Sequence, residues 1–110
     1  MKADFSIEDA CKALGAQLQE PYAHFAEPLL NGPKTRRRKA VNQLVSVLME
    51  DGREMHRGRF SAASEAKWDL WWTLVQAALQ LRAAIWARRE SEKPTEWSAM
   101  RLKAVKDLVS

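Results

Sequence analysis

The chain has 110 residues, 46% apolar and 29% charged, a net charge of +4 and one cysteine, Cys11. That length fits a single domain over 1–110, and the composition excludes wholesale disorder. A lone thiol excludes an internal disulfide, and no apolar run nears the ~20 residues of a membrane span.

The opening "MKADFSIEDA" has no apolar stretch, so no signal peptide is expected, and a reducing, cytoplasmic location fits. Alanine, leucine, glutamate, lysine and arginine dominate, while glycine and proline number four each, which favours helix throughout.

The first helix is expected over 6–19. Ser6 offers an N-cap hydroxyl and Asp9 stands where it can close a capping box. Ile7, Ala10, Cys11, Leu14 and Leu18 recur at helical spacing, which makes Cys11 an inert core thiol. Pro21 ends or kinks this helix. A short second helix is expected over 21–30, with Tyr22, Phe25, Ala26, Leu29 and Leu30 on one face and Pro28 weakening its second turn. "NGP" at 31–33 is the clearest stop.

The third helix is expected over 34–51. Val41, Leu44, Val45 and Leu48 form its apolar stripe, and Gly52 or Gly58 ends it. The segment between those glycines reads equally as helix or turn. A long fourth helix is expected over 61–92, opened by Ser61 and stopped by Pro94. A last helix over 95–109, capped by Thr95, would present Trp97, Met100, Ala104, Val105 and Leu108 on one face.

Four of the five tryptophans lie in the long helix. Trp68, Trp72, Val75, Leu79, Arg82 and Trp86 form one heptad-like seam; Trp71, Leu74, Ala78, Leu81 and Ile85 form a second beside it. Asp69, Thr73, Gln76, Gln80, Ala83 and Ala87 make a narrower strip opposite. One seam needs one neighbour, and two need two or three. The fold class is therefore all-α, a small four- to five-helix bundle around a central tryptophan-rich helix. Surface left over would meet the first and last helices or a second copy, a homodimer. Core filling is the favoured role for the tryptophans over ligand or base stacking.

Arg82 interrupts the first seam. It is read as a snorkelling side chain, as a buried pair with Glu50, Asp51 or Glu54, or as an interface residue. Trp97, Arg88 and Arg89 join it as candidate partner-interface residues.

Charge is unevenly placed. Residues 1–32 carry −3, 33–60 carry +5 and 61–110 carry +2. The densest feature is "KTRRRK": Lys34, Arg36, Arg37, Arg38 and Lys39 occupy the first turns of the third helix, where the dipole disfavours cations. A solvated basic face and a phosphate-contacting site explain it equally well, since arginines fork onto phosphate oxygens. Arg53, Arg57 and Arg59 extend the candidate site, but one continuous patch requires a bend at Gly52. Arg101, Lys103 and Lys106 form a further basic group. Aromatics do not interleave with these bases, so base stacking is not indicated.

Catalytic motifs are missing from the sequence. His24 and His56 lack metal-ligand spacing to each other or to Cys11, and no phosphate loop or nucleophile elbow appears. His24 is expected as a packed or rim histidine. Glu20 and Glu27 share a face only if one helix runs through both. The expectation is thus a non-catalytic protein with no cofactor and no metal, contacting nucleic acid, DNA or RNA, through 34–39. The alternative is an adaptor or inhibitor, of the mobile-element type, that meets a protein partner through its tryptophan surface or meets an acidic partner through its basic edge.

Overall fold

The computed structural model describes residues 6–56, 65–87 and 96–109. Five α-helices account for nearly all of them, and there is no strand among the described residues. The chain is all-α.

Helix α1 spans Ile7–Gln17. Its start follows from local chemistry: the Ser6 hydroxyl accepts from the Asp9 amide at 3.0 Å, and the Asp9 carboxylate accepts from the Ser6 amide at 3.1 Å. Two amide donors with no intrahelical partner are satisfied reciprocally. Ile7, Ala10, Cys11, Leu14 and Leu18 are all buried, as their spacing predicts.

The expected helix over 21–30 forms only in part. A short 3-10 turn covers Ala23–Phe25, and α2 covers Ala26–Asn31. The Glu20–Pro21 peptide is cis. Pro28 falls in the first turn of α2, where its missing amide donor costs nothing, so it is tolerated. Gly15 lets α1 lie close on α2: a methyl at that position would stand 3.0 Å from the Leu29 Cβ.

Helix α3 spans Lys34–His56, past the expected end at 51. It runs through Gly52 without a break, and there Trp71 fills the space a side chain would take. Val41, Leu44, Val45 and Leu48 form its buried stripe.

Helix α4 covers Glu65–Ala87 and α5 covers Glu96–Val109. The outer parts of the expected long helix, 61–64 and 88–92, lie outside the described residues, as does Thr95. The buried face of α5 is Ser98, Leu102, Val105 and Val109; of the expected set Val105 is buried, Leu108 packs against the core and Ala104 is half-buried, while the Trp97 side chain lies outside the described residues. Met100 is exposed. Both sets obey helical spacing, and contact with α4 selects between them.

Helix α4 packs against α5, α3 and α1; α1 also meets α2 and α5, and α2 meets α3. One core cluster joins these elements, from Ile7 to Val109. Each fully buried leucine in it contributes about 1.5–3 kcal/mol.

Candidate interaction surface

Two regions of the surface carry the residues that the sequence singles out: the basic start of α3 and the outward side of α4.

At the first turn of α3, Lys34, Arg36 and Lys39 are exposed, whereas Arg37 and Arg38 are half-buried. Arg36 forms an ion pair with Glu27 of α2 at 2.8 Å. Arg37 donates to the Gly32 carbonyl at 3.2 Å. Part of the cluster therefore ties α3 to the preceding turn and to α2. Arg37 satisfies the carbonyl that caps the end of α2, and the Glu27 carboxylate offsets part of the unfavourable placement of cations at the start of α3.

Arg53 does not join this cluster. The unbroken helix sets it ~26 Å from Arg36 at 1.5 Å per residue. There it pairs with Glu50 at 2.5 Å. The bend at Gly52 that a continuous patch requires is not formed. Arg57 and Arg59 lie outside the described residues. Arg101 donates to the Gln80 amide oxygen at 3.0 Å and so links α5 to α4.

The tryptophans correct a second expectation. Trp71 alone of the four is drawn inward. Its indole nitrogen donates to the Leu48 carbonyl at 2.8 Å, and a Cβ on Gly52 would overlap the edge of its ring. Trp68 is 37% exposed, Trp72 55% and Trp86 66%, so core filling does not describe them. The second seam is the core seam: Leu74, Ala78, Leu81 and Ile85 are buried, joined by Val75, Ala77 and Ala84.

From Thr73 to Ile85 every residue of α4 is buried or half-buried. At ~100° per residue, the buried positions fill one broad arc of the helix. The remaining arc carries the exposed Trp68, Asp69, Trp72 and Trp86, and between them the half-buried Thr73, Gln76, Leu79, Gln80 and Ala83, of which Leu79 packs against the core. This open strip draws on the first seam and on the strip the sequence places opposite it. It is ~27 Å long by helix rise. Met49 of α3, also exposed, borders it beside Val75 and Leu79. Periodicity could not have shown this, because apolar residues occur almost all the way around α4.

Arg82 lies at the margin of the strip, half-buried, with its guanidinium carbon 4.5 Å from the centroid of the Trp86 ring. A cation over an indole face is favourable by about 0.5–1 kcal/mol at an exposed site. Two of the carboxylates considered for it are engaged elsewhere, Glu50 by Arg53 and Asp51 by Tyr22. Arg88, Arg89 and the Trp97 side chain lie outside the described residues.

Tyr22 is a contact that the sequence does not reveal. Its hydroxyl donates to the Asp51 carboxylate at 2.6 Å, joining the turn before α2 to the far half of α3. Burial, and then the adjacent carboxylate, push the hydroxyl pKa well above its ordinary value.

The acid–base groups do not converge. The break between α1 and α2 separates Glu20 from Glu27, and Glu27 is held by Arg36. His24 is exposed, its ring 4.1 Å from that of Phe25, at the rim of an open hollow of ≈ 440 Å³ shared with Asn42, Gln43, Ser46 and Val47. Among the described residues, no group of three or more His, Cys, Asp or Glu side chains is placed to hold a metal ion. No described helix is long and apolar enough to cross a membrane.

Comparison with protein families, with curated proteins and with solved structures finds no match for this chain.

Proposed function

We propose that this protein is a non-catalytic binding module, a small helical bundle with α4 as its central rod, which docks a protein partner on the open strip of α4. One observation carries the reading. On a helix covered along its middle by three neighbours, the two most exposed tryptophans, Trp72 and Trp86, are left outside. Indole rings gain most from burial, and solvent-exposed ones on a rigid helix are typical anchors of protein interfaces.

Intrinsic fluorescence tests this. Iodide should quench a red-shifted fraction of the emission, and that fraction should fall sharply in a Trp72→Phe/Trp86→Phe double variant. Blue emission that iodide leaves untouched overturns the reading.

Nucleic-acid binding is the second reading, favoured by the exposure of Lys34, Arg36 and Lys39 at one end of α3. The ion pairs of Arg36 and Arg53 weigh against it, since each must be given up before the arginine forks onto a phosphate. Titration with mixed DNA and RNA at rising salt distinguishes the two. Binding that fades steeply with salt, weakens in Lys34→Ala/Lys39→Ala and strengthens in Glu27→Gln supports phosphate contact. Binding indifferent to those changes removes it.

A further inference from the structure

Helix α3 carries a surface of its own on the side opposite its buried stripe. Resting on the second reading above, that the basic start of α3 contacts phosphates, we infer that this outer face recognises duplex DNA, with Asn42, Gln43 and Ser46 against base edges in the major groove.

The face is continuous and open. Lys39, Asn42, Gln43 and Ser46 are all exposed. At ~100° per residue they share one arc, turned away from Val41, Leu44, Val45 and Leu48. Among the described residues, no neighbour takes up the hydrogen-bonding groups of the three neutral side chains. The turn before α2 does not wall them off: an open hollow of ≈ 440 Å³ lies between them and His24 and Phe25.

The charge of the face suits a polyanion at its start. Lys34, Arg36 and Lys39 are exposed, and no acid occurs between Lys34 and Met49. Among the described residues, Lys34 and Lys39 are in no ion pair. The pair of Arg36 with Glu27 is exposed on both sides, so little is lost in exchanging it. By the same helical step, Lys34 and Arg36 fall on opposite flanks of the neutral row. A helix seated in the major groove meets a phosphate strand on either side and base edges in front. Cations on the flanks and amides in the middle match that arrangement.

Asparagine and glutamine present a donor and an acceptor side by side, which pair with the exocyclic amine and N7 of adenine; a serine hydroxyl pairs with either kind of group. The row ends at Glu50, held by Arg53, ~12 Å beyond Asn42 by helix rise. The deep, narrow major groove of duplex RNA does not admit such a face, which makes the ligand class duplex DNA.

Selection of the full chain against a random duplex pool, then titration of enriched and scrambled duplexes at rising salt, tests this. The enriched duplex should bind roughly tenfold tighter than its scramble, within the range of one bidentate base contact. Adenines should recur in it, and 7-deazaadenine at those positions, which lacks the N7 acceptor, should lower the preference. Asn42→Ala/Gln43→Ala should erase the preference and leave the salt dependence unchanged. Lys34→Ala/Lys39→Ala should weaken both duplexes alike and flatten the slope of log affinity on log salt by about 2. Circular dichroism checks that these surface variants fold.

Salt-dependent binding with no sequence preference overturns groove recognition and leaves phosphate contact standing. So does equal binding to duplex RNA, or a preference that survives Asn42→Ala/Gln43→Ala. An absence of salt-dependent binding removes both.

Discussion

The edge of the Trp71 indole rests on the backbone of Gly52, so closely that the glycine has room for no side chain. The same ring donates its N–H to the Leu48 carbonyl, one helical turn earlier on α3. This contact locks α3 to α4 and explains both a helical glycine and an inward tryptophan. Two effects oppose each other in Gly52→Ala. Helix propensity improves by about 1 kcal/mol. Displacing the indole costs about 1–3 kcal/mol in repacking and about 1 kcal/mol for the lost hydrogen bond. The net expectation is a loss of about 1–3 kcal/mol by urea unfolding. In a Trp71→Phe background the same change should cost measurably less, because the two residues share one interaction.

Tyr22 and Asp51 join the front of the chain to the end of α3. Tyr22→Phe removes a hydrogen bond to a charged group and should cost about 1.5–3 kcal/mol. The pH dependence has a definite sign. The folded-state pKa of Tyr22 is raised, so its contribution is fully present below the unfolded value of ~10 and is lost as pH rises through the folded value. Alkaline unfolding should therefore steepen above pH ~10 in the native sequence. Tyr22→Phe should lack that slope. Tyr22 is the only tyrosine, so ultraviolet titration reads it directly.

Three tryptophans of α4, Trp71, Trp72 and Trp86, should separate by cost. Trp72→Ala and Trp86→Ala remove exposed rings, and each should change the stability of dilute protein by less than about 1 kcal/mol. For Trp86 the loss includes its contact with Arg82. Trp71→Ala should cost about 3–5 kcal/mol, the usual range for a packed aromatic. Equal costs at all three sites would mean that the exposed rings are packed in solution.

Ser6→Ala breaks the capping box of α1 and should cost about 1 kcal/mol in thermal unfolding. Asp9→Ala removes the reciprocal half. The double variant should cost less than the sum of the two, since both changes break one motif.

Local chemistry alone determined the helical character of the chain, the start of α1 at Ser6, the stop at 31–33 and the buried stripes of α1 and α3. Each of these rests on neighbours within a turn or two, which is the range of capping, propensity and periodicity. Tertiary packing decided the rest. Gly52 reads locally as a helix end, but α3 runs past it, and there Trp71 fills the space a side chain would take. Met100 and Leu102 fit helical stripes equally well until α4 selects one. On α4 both seams are apolar, so no periodic signal distinguishes the face that its neighbours cover from the one left open. The placement of α1, α3 and α5 made that choice, and with it decided that Trp72 and Trp86 stand outside as a surface rather than inside as a core.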